Sequence, residues 1–311
     1  MAMARKPRGR PIHGWLVLDK PQGMTSAHAV ARVLRLTDAA KAGHGGTLDP
    51  LATGVLPIAL GEATKTVAWA IDGSKLYHFT VRWGEVRDSD DSEGAVIAES
   101  ALRPARGEIE AALPRFCGTI LQRPPAYSAL KIGGTRAYEL AREGAAVTLD
   151  PRLVEVEEFR LLAVDDADHA SFAARVGRGT YVRALARDVG AMLGCGAHVV
   201  ALRRLAVGRF RAEQAISLDN LATLGHSARL SEHLLPVETA LDDIPALALT
   251  EAEAQALRHG QTVMLLRPSE RARIDQIGDG ATVCATSRGK LVALAEVDSG
   301  GLRPVRVMNL E

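Results

Sequence analysis

The stretch GHGGTLDPLATGVLPIALGEATK, residues 43–65, decides how the rest of the chain is read. It places a histidine among glycines (His44), a lone carboxylate before a proline (Asp49) and an apolar run from Val55 to Leu60 in one short segment. Gly43, Gly45 and Gly46 admit backbone angles and close approaches that a side chain forbids. Pro50 fixes its own φ and drives Asp49 out of the helical region, into an extended or turn geometry. The carboxylate is therefore expected on a shaped loop that leads into a buried strand. Loops held by rigid elements are where chemistry concentrates.

An isolated Asp-Pro is an ordinary turn opener. The whole phrase is more specific: GGTLDPLATGVLP resembles the catalytic motif of the TruB-type tRNA pseudouridine synthases, in which the aspartate is the essential residue. The resemblance covers residues 11–240, is carried by further phrases in the family's order, and is looser beyond. It implies an α+β pseudouridine-synthase fold: a mixed, largely antiparallel central sheet flanked by helices and loops, with a small C-terminal PUA-like β-barrel.

Working outward, Trp15 to Leu18 reads as a short strand and KPQGMTS, residues 20–26, as the turn after it. Thr25 or Ser26 can cap a helix running to Leu36 with Ala27, Val30 and Leu34 on one face. KPxGxTS is another family motif, expected to pack beneath the catalytic loop, and Lys20 receives no catalytic role. Beyond the central stretch a helix opens near Glu62 and ends near Asp72. Leu76 to Trp83 alternates apolar and polar as a half-buried strand does. The family places a base-stacking tyrosine beside its aspartate here, which corresponds to Tyr77.

The acidic run DSDDSEG, residues 88–94, invites a calcium-loop reading. That loop needs its glycine where Glu93 stands, so calcium is rejected. QRPPAYSALKIGGTRAYELAREG begins at Gln122 and looks like the family's RNA-binding insertion, the thumb, spanning about residues 122–150. Arg123, Lys131, Arg136 and Arg142 are its expected phosphate partners, Tyr127 and Tyr138 stack or pack, and Gly133-Gly134 forms a tip.

Strands are expected at 152–162 and 171–177, followed by GRGTYVRALARDVG, residues 177–190, as a glycine-rich turn feeding a helix capped by Thr180. Leu185, Val189 and Met192 point inward, and Gly194 ends the helix. In the family this third motif supplies a pocket tyrosine, here Tyr181, and an arginine that pairs with the aspartate, here Arg183. Leu202 corresponds to a residue that walls off the uracil, His44 to a wedge that fills the space of a flipped base, and Lys65 to a further substrate contact. From Pro245 a separate unit begins, with a Thr250–Glu253 capping box, a helix ending at Gly260, and alternating strands at 281–286, 290–297 and 302–308. A PUA-like RNA-binding role and a structural cap compete for residues 246–311.

The net charge of +1 argues against a nucleic-acid binder, but its distribution does not. Residues 175–211 hold eight arginines against one acid, and residues 85–110 hold eight acids against three arginines. One basic face is a plausible footprint for RNA. No apolar run spans a bilayer, and the basic residues 1–10 lack an apolar core, so a frayed arm rather than a signal peptide is expected. Three scattered cysteines form neither a disulfide framework nor a zinc pattern, which fits a cytoplasmic location. The resemblance implies a monomer that turns the T-loop uridine at position 55 of tRNA into pseudouridine, with no metal or organic cofactor and no guide RNA. A guide-RNA-dependent synthase subunit shares Asp49 but lacks the thumb, and a non-catalytic RNA chaperone needs the basic face without Asp49.

Overall fold

The chain's long-range order follows from two apolar strands that are buried on both faces. The computed structural model describes residues 9–145, 147–224, 228–265 and 267–310. The expected N-terminal arm falls on residues 1–10, of which 1–8 lie outside the described residues. In chain order, β1 (Gly14–Lys20), α1 (Ser26–Thr37), β2 (Ala42–His44) and β3 (Thr53–Leu60) come first. A 3-10 turn (Gly61–Lys65), α2 (Val67–Asp72) and β4 (Lys75–Trp83) follow, then the hairpin β5 (Glu85–Arg87) and β6 (Val96–Glu99). Next stand α3 (Arg106–Ala112), β7 (Gly118–Gln122), the small hairpin β8 (Lys131–Ile132) and β9 (Thr135–Arg136), and α4 (Ala137–Arg142). The long strands β10 (Arg152–Val164) and β11 (His169–Val176) lead to α5 (Val182–Met192), β12 (Ala197–Val207), β13 (Phe210–Arg211), α6 (Leu218–Leu224) and β14 (Leu234–Leu235).

The central sheet runs β14-β1-β3-β12-β4-β11-β10-β7, with β2 paired to β3 and β13 to β12. Neighbours are antiparallel except β3 and β12, which run parallel where Thr53 and Gly54 face Arg203 and Arg204. This is the mixed, largely antiparallel sheet expected from the sequence. Side chains alternate across it. Leu16, Leu18, Leu56, Ile58 and Leu60 enter one core, while Trp15, Val17, Val55 and Ala59 enter another.

Along its outer edge β3 is covered in two pieces. β2 pairs with residues 58–60, and β12 with residues 53–54. The interval between them contains Pro57, which has no N–H to offer a partner strand. There the Gly45 amide donates to the Pro57 carbonyl at 2.8 Å and Arg204 Nε donates to the Val55 carbonyl at 2.8 Å. The loop of residues 45–52 leaves the sheet through this gap.

Two helix details depart from the sequence expectations. In α1 Val30 and Leu34 pack against the core as expected, but Ala27 is exposed and the fully buried stripe is Ser26, Ala29, Val33 and Thr37; Thr25 caps the helix, its Oγ1 accepting from the His28 amide. Met192, expected inward, is exposed at the end of α5 while Leu185 and Val189 are buried.

The C-terminal unit comprises β15 (Ala246–Ala248), α7 (Glu251–Arg258), β16 (Val263–Met264), α8 (Pro268–Ile277), β17 (Thr282–Ser287), β18 (Lys290–Asp298) and β19 (Gly301–Val307). Its strands form a curled half-barrel in the order β15-β17-β18-β19-β16, as in a PUA-like unit. The capping box forms: the Glu253 amide donates to Thr250 Oγ1 at 3.3 Å, and the Thr250 amide donates to Glu253 Oε2 at 2.7 Å. Sequence reasoning missed α8, whose polar PSERARIDQI lacks an apolar period although Pro268 marks its start.

This unit is less separate than its sequence suggests. It has a core of its own, but Cys284, Leu291, Leu294 and Met308 join the cluster of Trp15, Val17, Val55 and Ala59. The C-terminal unit therefore covers part of the back of the central sheet, beside Ala63, Ala70, Val237 and Leu241. No helix among the described residues is long and apolar enough to cross a membrane.

Candidate active site

The loop that carries Asp49 is held from below by three side chains that donate to its backbone or bracket it. Arg204 is buried, and besides Val55 it donates through Nη1 to the Thr47 carbonyl at 3.1 Å and through Nη2 to the Gly46 carbonyl at 3.0 Å. Lys20 Nζ donates to the carbonyls of Pro21 and Met24 at 2.8 Å and of Pro50 at 3.3 Å. Ser26 Oγ donates to the Leu48 carbonyl and accepts from the Leu48 amide. Residues on both sides of Asp49 are thus fixed, which limits where its carboxylate can go. Of the three glycines only Gly46 has positive φ, at +120°. Gly45 packs against Trp15 and Ala70, where a Cβ would crowd both.

Asp49 Oδ2 accepts from Arg183 Nη2 at 2.9 Å, with the Asp49 side chain 35% exposed and that of Arg183 4%. The same guanidinium donates from Nη1 to the Ser89 carbonyl and from Nη2 to the Tyr127 carbonyl, both at 2.8 Å, and Nη1 lies 3.3 Å from Asp91 Oδ2. Burial opposes the charge of Arg183, but Asp49, Asp91 and Asp90 outweigh it and hold the group above the ordinary arginine value. Asp90 is pushed up to about 6 by burial, against the pull of Arg187 and Arg183. The acidic segment of residues 88–94 is occupied with arginines of α5 rather than arranged for calcium. Asp91 meets Arg183, and Asp90 meets Arg187 at 2.9 Å.

Asp49 stands between two cavities. The smaller, about 190 Å³, is lined by Tyr77, Tyr181, Leu202, Lys75, Asp49 and Arg183. Neighbouring strands present these residues, because Leu202 on β12 lies opposite Phe79 and Arg204 opposite Tyr77 on β4. Tyr181 is the N-cap of α5, and its backbone is clamped by Gln122, which donates to its carbonyl at 3.2 Å and accepts from its amide at 2.8 Å. Burial raises its phenol above the usual value. Thr180, expected as the cap, instead donates to the Glu155 carbonyl.

The larger cavity, about 620 Å³, opens on the other side of Asp49 and is lined by His44, Tyr127, Tyr138, Arg136, Arg142 and Arg183. The insertion forms its wall: Gly133 and Gly134, both at positive φ, close the β8–β9 hairpin, and α4 follows. Arg142 lies 5.7 Å over the Tyr138 ring. His44 Nδ1 is buried with no hydrogen-bond partner among the described residues. Burial, aided by Arg204 and Arg136, lowers its pKa, so it is held neutral and presents an uncharged ring.

Eight of the expected site residues, Asp49, Tyr77, Arg183, His44, Tyr181, Leu202, Arg136 and Arg142, line one or both cavities. Lys65 does not. Its Nζ pairs with Glu62 at 2.6 Å and donates to the Val307 carbonyl at 2.7 Å, tying the central sheet to the C-terminal unit. The single basic face expected over residues 175–211 also divides. Arg183 and Arg204 are buried, while Arg178 pairs with Asp72, Arg187 with Asp90 and Asp188, Arg203 with Asp19, and Arg209 with Asp242 and Asp243. These acids come mostly from distant segments, which a local charge count cannot see. Sequence reasoning also missed the loop-holding role of Arg204, for which an arginine carries no local signal; Ser26 lies in the KPxGxTS phrase expected beneath the loop.

Comparison with known proteins agrees with this geometry. A family model described as TruB family pseudouridylate synthase (N terminal domain) matches residues 34–182. A second, described as tRNA pseudouridylate synthase B C-terminal domain, matches residues 183–242. The tRNA pseudouridine synthase B of Rhodospirillum rubrum is 54% identical over 99% of this chain and 100% of its own length. That of Bradyrhizobium diazoefficiens is 56% identical over 97% of this chain and 87% of its own. Among solved structures, a chain of a Cbf5-Nop10-Gar1 complex matches with a TM-score of 0.72 and 26% identity, covering 96% of this chain and 84% of that one. A chain of the archaeal box H/ACA sRNP Nop10-Cbf5 complex has the same fold, with a TM-score of 0.71 and 24% identity over 99% of this chain and 93% of that one.

Proposed function

This chain belongs to the TruB family of pseudouridylate synthases, and on that premise we propose that it converts the T-loop uridine at position 55 of tRNA to pseudouridine, with Asp49 as the essential carboxylate. The observation that carries the proposal is the ion pair of Asp49 with the buried Arg183, at the wall shared by a small aromatic-lined cavity and a larger arginine-lined cleft. The small cavity takes the target base and the cleft takes the RNA around it. Residues 11–240 form the synthase part, with the thumb over 122–150, and residues 246–311 a PUA-like RNA-binding unit.

The reaction breaks the bond from ribose C1′ to uracil N1 and joins C1′ to C5. Its first half resembles glycoside cleavage, where a carboxylate meets the positive charge that develops at C1′. A glycosidase adds a second carboxylate to activate water or protonate the leaving group. Here the base stays in the site, so the same protein must exclude water, and one carboxylate suffices. Atoms balance without a co-reactant, so no metal or organic cofactor is part of the proposal. Tyr77 stacks on the base and assists loss of the C5 proton, Leu202 and Tyr181 wall the base in, and Arg183 orients Asp49. A stacked uridine must leave the RNA before Asp49 can reach it, and the neutral ring of His44 takes the vacated space. Arg136 and Arg142 hold phosphates.

The test is conversion of a T-arm transcript by the chain alone, without guide RNA. Asp49→Asn keeps the shape and removes the charge, so conversion is expected to vanish while RNA binding stays near wild type. Conversion within about tenfold of wild type would remove Asp49 from the chemistry. Tyr77→Phe separates stacking from proton transfer: intact binding with slow turnover is expected, and a wild-type single-turnover rate leaves stacking as its only role.

A further inference from the structure

Lys75 is a buried ammonium that the reaction as described does not use. It stands two residues before Tyr77 on β4, so both side chains leave the same face of the strand. It lines the smaller cavity together with Asp49, Tyr77 and Leu202, and only 8% of it is exposed. Its Nζ donates to the Ile71 carbonyl, and no carboxylate lies within ion-pairing distance of it among the described residues. Asp72, the acid that acts on it, is paired with Arg178. A buried charge without a counter-charge is costly. Such a charge in a cleft is a candidate for work on a ligand that brings the opposite sign.

We propose that Lys75 donates a hydrogen bond to a carbonyl oxygen of the target uracil and stabilises the negative charge the base carries while it is detached. This rests on assigning the smaller cavity to the target base. When the C1′–N1 bond breaks, its electron pair leaves with the base, and the anion spreads over N1 and the two carbonyl oxygens. Asp49 faces the electron-deficient C1′, and Lys75 keeps its proton. After the base turns, the electron pair at C5 forms the C1′–C5 bond. The C5 hydrogen then departs as a proton and N1 ends protonated, so charge and atoms balance within the substrate. Donors fixed where charge develops are worth far more inside a closed site than in water.

A backbone phosphate is the other anion within reach of such a lysine, and it fits less well. A phosphate keeps much of its water and suits the rim, where the side chain of Arg178 is 69% exposed. Lys75 lies inside, level with the ring that stacks. Burial, reinforced by Arg204 and Arg178 and opposed by Asp72, lowers its pKa to about 8, which makes it a readier hydrogen-bond donor to an anion than an exposed lysine.

The experiment compares the full chain with Lys75→Met, Lys75→Gln and Lys75→Arg in single turnovers at saturating T-arm RNA, carrying uridine or 5-fluorouridine at the target. Fluorine stabilises the departing anion, so the fluorinated base depends less on a donor. Loss of the target nucleoside from the RNA is read, which for 5-fluorouridine reports cleavage, since fluorine cannot leave C5 as a proton does. Lys75→Met and Lys75→Gln are expected to keep wild-type RNA affinity and salt slope, lose about 10²-fold in rate on uridine, and lose less than about tenfold on 5-fluorouridine. Lys75→Arg, which keeps a donor and the charge, recovers part of the loss. An equal loss on both substrates overturns the proposal. So does reduced affinity with a shallower salt slope and an unchanged saturated rate, which makes Lys75 a phosphate contact. A wild-type chain inactive on the uridine RNA instead removes the assignment of the cavity to the base, and that outcome is seen before any variant is tested.

Discussion

Ser26 Oγ accepts a hydrogen bond from the Leu48 amide at 2.8 Å and donates one to the Leu48 carbonyl at 2.9 Å, so one hydroxyl satisfies both backbone groups of the residue before Asp49. Ser26 and Leu48 are each 4% exposed, which denies those groups a substitute from water.

Ser26→Ala therefore leaves a buried donor and a buried acceptor unpaired, each costing about 1–3 kcal/mol. The expected result is a lower melting temperature and a single-turnover rate reduced by up to about 10²-fold, because small misplacements of a reacting group are that expensive. RNA affinity should not change. A lower melting temperature with an unaltered rate would make Ser26 a purely structural residue.

Lys20 gives a prediction in pH. Burial lowers its pKa from 10.5 to about 8, with Asp49 opposing and Arg204 reinforcing the shift. Between those values the folded chain has released a proton that the unfolded chain still holds. This group's contribution to stability therefore rises with pH across that window and is flat below it. Lys20→Met lacks the term, so wild-type stability minus variant stability should grow from pH 8 to pH 10.5. Urea unfolding at several pH values measures it; a constant difference would mean that Lys20 stays protonated throughout.

The cleft residues divide into two kinds. Arg136→Ala and Arg142→Ala should weaken binding alike for cognate and mutated T-loops, each flattening the log–log salt slope by up to about one unit, since phosphate contacts release counterions without reading sequence. His44→Ala should leave the slope nearly unchanged and slow base flipping, as fluorescence of 2-aminopurine beside the target reports. Flipping at the wild-type rate with an altered slope would make His44 a backbone contact.

Removing residues 246–311 should do more than weaken RNA affinity. The cut uncovers Trp15, Val17, Val55 and Ala59, and it breaks the bonds of Lys65 to Val307 and of Glu62 to Asn309. The shortened chain is expected to melt at least about 4 °C lower, the shift that about 1–2 kcal/mol brings in a chain of this size. An unchanged melting temperature would show that the shared cluster contributes nothing to the central sheet.

Much of this was legible because the strands carry period-two patterns and the site residues sit in phrases with a glycine or proline beside them. β1, β3, β4, β10 and β11 fall where apolar and β-branched residues cluster, and Asp49, Tyr77 and Arg183 converge as their phrases imply. What stayed hidden was the destination of long polar side chains. Arg183, Arg187, Arg203 and Arg204 all count as +1 in a sequence, yet each has a partner on another element, and two of the four are buried. The same holds for Lys65, whose neighbours in the chain gave no sign that its ammonium would reach Val307.

Besides its ion pair with Asp91, Arg183 reaches the thumb and the acidic segment through two main-chain oxygens, those of Tyr127 and Ser89. Every residue offers such an oxygen. These two contacts of the clamp on Asp49 are accordingly indifferent to which side chains stand at positions 89 and 127, and sensitive to the path of the backbone through them. Point replacements there leave the guanidinium its acceptors, whereas adding or deleting one residue between Asp88 and Ser92, or between Gln122 and Ala129, shifts the oxygens out of reach. At these two places the protein has freedom in spelling and none in length.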